Sequence, residues 1–185
     1  MKTLVFFLEE LSAKEMLAGI LPRIVPKTVQ IRYVVFEGKR DLIDKLKWKL
    51  QGWRMPDCRF VVMCDQDSGD CGSIKAELAQ LCTEAGKRGI LVRIACHELE
   101  SFYLGDLLAV EKGLGSKGLS VKQEKRKFRN PDAVRYPSTE LFRLTRNMYD
   151  KVSGSRAIAP HLRLKCNRSA SFRVLLSGIN RLLET

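Results

Sequence analysis

Glu9 and Glu10 follow the apolar run Leu4 to Leu8, Asp65 and Asp67 follow Arg59 to Cys64, and Glu98 and Glu100 follow Ile90 to Cys96. Carboxylates gathered in one crevice repel each other and stay charged only when cations or protons neutralise them. Hard divalent cations with oxygen ligands, chiefly Mg²⁺ or Mn²⁺, meet that need. In an extended segment the Asp-x-Asp spacing points Asp65 and Asp67 to the same side, where both reach one ion. Such an ion orients a phosphate and activates water. Glu9, Asp65, Asp67, Glu98 and Glu100 are therefore the candidate catalytic set, with Glu9, Asp65, Asp67 and Glu98 as candidate ligands. Plainer uses stand beside this one. Asp67, Asp70 or Ser73 can cap the helix that follows, Glu9 can complement a helix dipole, and one of Glu98 and Glu100 can be a solvated first-turn acid.

His97 adjoins the later acids and is a candidate acid, base or phosphate contact, or a structural histidine. Lys39, Arg40 and Lys75 fall near strand ends or helix starts, and Lys75, directly after the Asp-x-Asp loop, is the preferred phosphate ligand. Trp48 and Trp53 are expected to cover the sheet. The six cysteines lack the two-residue spacing of a zinc knuckle and read as reduced, mostly buried thiols.

What must position these groups is legible from periodicity. Leu4 to Leu8, Ile31 to Phe36, Arg59 to Cys64 and Ile90 to Cys96 are short, nearly continuous apolar runs, as strands covered on both faces require. Between them, Ser12 to Leu21, Asp41 to Leu50 and Ser73 to Ala85 repeat apolar residues at helical spacing. Strand and helix alternating at about thirty residues predict a parallel α/β sheet, whose ligand crevice lies beyond the carboxyl ends of the strands. Every acid in the candidate set sits there.

The chain has 185 residues, 45% of them hydrophobic and 29% charged, enough for one globular unit. No apolar stretch approaches the roughly 18 residues of a spanning helix, and the opening apolar run ends at once in Glu9 and Glu10, so a cytoplasmic protein without membrane attachment is expected. Charge is uneven. Residues 1–110 hold 16 basic and 15 acidic side chains, whereas residues 111–175 hold 16 and 5. We therefore divide the chain into an α/β core, 1–110, and a basic, mainly helical C-terminal extension, 111–185, packed on it as one structural unit. Gly113 to Arg129 reads as a mobile or surface segment, Ser138 as the start of a helix reaching about Tyr149, and Ser169 or Ser171 as the cap of a last helix. Lys125, Arg126, Lys127, Arg129, Lys151 and Arg156, interleaved with Phe128, Tyr136 and Tyr149, suit a nucleic-acid groove.

The acid after strand one, Asp-x-Asp after strand three and acid after the next strand resemble the Toprim pattern of topoisomerases, primases and nucleases of the overcoming-lysogenization-defect kind. More closely, LVFFLEELSAKEML, FEGKRDL, GWRMPDCRFVVMCDQDSGDC, VRIACHELESFYLGD, KFRNPDA and YDKVSGSRAIAPHL resemble an uncharacterised bacterial family, number forty-two seventy-six of the domains of unknown function. The resemblance implies a Toprim-like Rossmannoid sheet, with Glu9 as the Toprim glutamate, Asp65 and Asp67 as its aspartate pair and Glu98 or Glu100 as the later acid. It also implies bacterial defence loci with neighbouring ATPases. Where the related motif reads Glu-Gly-x-Thr/Ser-Glu, this chain has Glu10 for the glycine and Ala13 for the second glutamate. The expected function is a Mg²⁺- or Mn²⁺-dependent phosphodiesterase acting on DNA or RNA, with an ATPase partner. The alternative is a non-catalytic Toprim-like subunit of an ATPase complex.

Overall fold

The computed structural model describes residues 2–184. Four parallel strands, β1 (Thr3–Leu8), β2 (Gln30–Val35), β3 (Cys58–Asp65) and β4 (Leu91–Ala95), form a sheet in the order β2-β1-β3-β4. Each lies where its apolar run predicts. Alternation along β1 splits the core: Leu4, Phe6 and Leu8 face one layer, Val5 and Phe7 the other. The second layer is covered by α2 (Lys39–Gln51) and α3 (Cys71–Glu84) through Leu42, Leu46, Leu50, Leu78 and Cys82. The first is covered by α1 (Leu11–Ile20) and by the C-terminal third of the chain. Among the described residues no helix is long and apolar enough to cross a membrane.

Beyond β4 come α4 (Ser101–Leu104), α5 (Leu107–Leu114), α6 (Arg126–Arg129), α7 (Pro137–Leu144), α8 (Lys151–Ile158) and α9 (Ala170–Glu184). Gly113 to Arg129 lies at the surface, as expected, but is anchored to the core. Gln123 is buried inside it, donates to Leu104 O (3.0 Å) and Phe128 O (3.1 Å), and accepts from Leu107 N (2.7 Å). The helix expected from Ser138 to about Tyr149 ends early, at Leu144, and the next helix starts only at Lys151. Arg146 (φ 53°) and Asn147 (φ 66°) turn left-handed after α7, and Asp150 then caps α8 by accepting from Ser153 N (2.9 Å). Ser169 Oγ accepts from Phe172 N (3.1 Å) at the head of α9. Trp53 packs edge-on against Phe7 and Phe60, but Trp48 is 71% exposed on α2 and covers nothing.

The chain steps from β1 outward to β2, then returns to place β3 on the other side of β1. This change of direction opens a crevice between the carboxyl ends of β1 and β3, the usual ligand position of an open α/β sheet. Glu9 and Asp65 mark its two sides.

Candidate functional site

Glu9 leaves β1 with its N–H donating to Met63 O (3.2 Å), and its Oε2 accepts from Asp65 N (2.9 Å). Its carbonyl accepts from Gly38 N (3.0 Å), where φ is +112°, a conformation glycine adopts without strain. That turn sets Lys39, the first residue of α2, over the site. Lys39 Nζ pairs with the Asp67 carboxylate and donates to Gln66 O (3.3 Å). Burial raises the Glu9 carboxyl above its ordinary range, opposed by the Asp65 N–H and by Lys39.

Asp65 ends β3 only 7% exposed and points into the layer of α1. Burial, then the charges of Glu100, Glu9 and Glu10, pushes its carboxyl well above the usual range, against the Leu99 backbone N–H. Glu100 beside it is fully buried: Oε1 accepts from Tyr149 OH (2.7 Å), while Oε2 has no partner. Burial raises the Glu100 carboxyl too, with Tyr149 and Lys151 opposing. Glu10 turns to this same side, accepting from Ser12 Oγ and lying 3.6 Å from Lys151 Nζ. Burial pulls the Lys151 ammonium down, but Glu100, Glu10, Asp65 and Glu98 outweigh it and raise the group.

The expected acids thus divide around the sheet edge. Asp65, Glu100 and Glu10 gather with Lys151 on the α1 side, whereas Glu9 and Asp67 share Lys39 on the α2 side. Asp65 and Asp67 do not point together, because the strand stops at Asp65 and Asp67 turns left-handed (φ 54°), leaving its side chain 53% exposed. His97, also left-handed (φ 56°), is tied across to this loop: its carbonyl accepts from Asp67 N (2.6 Å) and its N–H donates to Gln66 Oε1 (3.1 Å). Two non-glycine residues held in that region cost backbone energy, a cost found concentrated at functional sites. They line a cleft of about 370 Å³ with Gln66, Glu98, Arg135 and Tyr136. Glu98 Oε2 accepts from Ser138 N (2.7 Å), so this acid also caps α7. Asp70 is the helix cap of α3, accepting from Ser73 N (2.7 Å).

The cationic candidates separate as well. Lys39, not Lys75, reaches the acids; Lys75 stands exposed on α3. Lys125 and Arg126 are exposed at the head of α6, Lys127 pairs with Glu140, Arg129 Nε donates to Glu124 O (3.1 Å), and Arg156 Nε donates to Glu15 (2.7 Å). Of the three aromatics interleaved with these cations, Phe128 and Tyr149 are core residues and Tyr136 is exposed, as is Phe142 further along the tail. Glu10 and Tyr149 join the acids of the site, although the sequence left Glu10 outside the candidate set and put Tyr149 with the tail cations. The signal for Glu10 was its place one residue past Glu9 on an extended chain, which sends it to the opposite face; nothing local foretold Tyr149.

Carboxylate oxygens suit Mg²⁺ or Mn²⁺, and the buried Glu100 Oε2 beside Asp65 meets no protein donor among the described residues. Among the described residues no three His, Cys, Asp or Glu side chains form a ready ligand cage. Mg²⁺ does not require one, since one or two carboxylates with water and substrate phosphate commonly complete its shell. The donors fit.

A parallel sheet layered by helices on both faces, with carboxylates at the switch point, defines an α/β protein with its candidate site at the carboxyl edge of the sheet. The chain belongs to the family described as Domain of unknown function (DUF4276), which matches residues 8–180. No curated protein matches it. In fold it is similar to the C-terminal region of the Burkholderia pseudomallei OLD protein, with a TM-score of 0.59 and 16% identity over 97% of this chain and 98% of that one. It is also similar to the C-terminal region of the Xanthomonas campestris pv. campestris OLD protein, with a TM-score of 0.53 and 14% identity over 98% of this chain and 95% of that one.

Proposed function

We propose that this protein is a Toprim-like, Mg²⁺- or Mn²⁺-dependent phosphodiesterase acting on nucleic acid, working in bacterial defence beside an ATPase. The observation that carries the catalytic reading is Asp65, buried at the switch point among Glu9, Glu10 and Glu100 with Glu100 Oε2 unpartnered. Asp65 would hold the cation, with Glu100 behind it and Glu9 across the sheet edge. When bound, a divalent ion supplies neutralisation of phosphate charge and eases deprotonation of water. Glu9, whose carboxyl burial raises above its ordinary range, is placed to take a proton from an attacking water. Lys39 and Lys151, one on each side of the sheet edge, are placed to draw in phosphate oxygens, and Tyr149 holds Glu100 in place. The ATPase and the defence setting rest on the family resemblance.

A second reading, a non-catalytic subunit of an ATPase complex, draws on Ala13. It is buried where the related motif carries a second acid, and Glu10 beside it is already matched by Ser12 and Lys151. The two separate in one assay: purified protein incubated with plasmid, single-stranded DNA or total tRNA, with and without Mn²⁺. Mn²⁺-dependent cutting that disappears in Asp65→Asn supports the phosphodiesterase. No cutting of any substrate, even with a candidate ATPase added, leaves the binding subunit.

A further inference from the structure

Next to the acidic end of the sheet runs a groove of about 720 Å³ lined by Arg126, Lys127, Asn130, Arg135, Tyr136 and Arg143. It shares Arg135 and Tyr136 with the cleft of Asp67, His97 and Glu98, so the two adjoin along these side chains, cations on one side and carboxylates on the other. Four cations line the groove, and its one acid, Glu140, offsets a single charge by pairing with Lys127. A polyanion fits this wall.

Tyr136 narrows the choice of polyanion. It stands 61% exposed at the junction, with the Arg135 guanidinium 5.5 Å from its ring centroid. Its position is fixed from the cleft side: Pro137 follows at the first turn of α7, and the next N–H, Ser138, is held by Glu98 (2.7 Å). A rigid, exposed ring with a guanidinium beside it offers a stacking surface for a flat base. In a duplex both faces of each base are covered by neighbours, so this surface has a use only where a base is unpaired. Phosphate contacts alone would serve single and double strands alike.

We propose that the groove holds a single strand of nucleic acid, with Tyr136 stacking on the unpaired base next to the phosphate that enters the acidic cleft. The fate of that phosphate rests on the phosphodiesterase reading; the binding does not. Arg126, Arg135 and Arg143 track the backbone on the entering side, and Tyr136 fixes the register of the strand relative to Asp67 and Glu98.

Fluorescence anisotropy in EDTA tests this without any cutting, using a labelled oligothymidylate of about 12 nucleotides and a duplex of equal length, within the roughly 4 to 16 nucleotides such grooves accept. The full chain should bind the oligothymidylate more tightly than the duplex. Tyr136→Ala should weaken single-strand binding by roughly ten-fold or more, the usual worth of one base–aromatic stack, and Tyr136→Phe should retain it. Arg135→Gln with Arg143→Gln should weaken both ligands. Unchanged oligothymidylate affinity in Tyr136→Ala, or a preference of the wild type for the duplex, overturns the proposal. Tyr136-dependent binding without Mn²⁺-dependent cleavage supports the groove and removes the phosphodiesterase; cleavage with Tyr136-independent binding does the reverse.

Discussion

Asp65 is the residue at which fold and proposed chemistry pull in opposite directions. Its carboxyl is raised well above the usual range by burial and by three neighbouring acids, so the folded chain holds a proton that the unfolded chain gives up. Stability tied to this group is full below the ordinary carboxylate range and is lost as pH rises through the folded value. Asp65→Asn removes that loss while keeping the volume. Its melting temperature should exceed the wild type's at about pH 8 and match it near pH 4, as scanning fluorimetry would measure. Mn²⁺ should raise the wild-type melting temperature and leave that of Asp65→Asn unmoved, because only the wild type offers the charge. Glu9→Gln should leave the fold intact and lower Mn²⁺-dependent cleavage by about two to four orders of magnitude, the range for a general base. Equal rates in the variant and the wild type would relegate Glu9 to holding the Asp65 N–H.

The side chains just described depend on how closely the helices approach. A Cβ on Gly113 of α5 would lie 2.6 Å from Ala157 O and 2.7 Å from Ile158 Cα of α8, and one on Gly19 of α1 would lie 2.5 Å from Ala159 Cβ. Helix α8 is therefore clamped between α1 and α5, and its first residue, Lys151, reaches Glu10 from that fixed position. Gly113→Ala must push α5 away from backbone atoms. It should cost about 1–3 kcal/mol in urea unfolding and reduce cleavage through displacement of Lys151. The sheet and α1 to α3 were legible because unbroken β-branched runs and helical periodicity are local signals. The break between α7 and α8 was not: Arg146 and Asn147 adopt left-handed backbone without a glycine to announce it. The division of the acids escaped for a similar reason, since the Asp-x-Asp reading assumed an extended chain and Asp67 leaves that conformation immediately after the strand.

At the scale of the whole molecule, the boundary in charge near residue 110 is not a boundary in packing. Leu4, Phe6 and Met63 of the sheet share one buried cluster with Leu141, Leu162, Phe172 and Ile179, and the buried Asp106 carboxylate is met by Arg163 (2.9 Å). A fragment of residues 1–110 would leave one face of the sheet uncovered, so it should lack the near-ultraviolet dichroism of a packed core. The basic tail is in this sense part of the fold as well as the wall of the proposed groove, and its cations are not equivalent. Lys127 and Arg156 already face Glu140 and Glu15, whereas Arg126, Arg135 and Arg143 line the groove without such a partner among the described residues. For a single strand, log affinity against log salt should fall with a slope of about −0.7 per neutralised phosphate. Arg126→Gln with Arg143→Gln should flatten that slope by about 1.4, two contacts' worth, when titrated against oligothymidylate in EDTA. Arg156→Gln should leave it unchanged, since that side chain serves Glu15. A slope equally sensitive to all three changes would mean that the strand is held by the net charge of the tail, with no groove selecting its path.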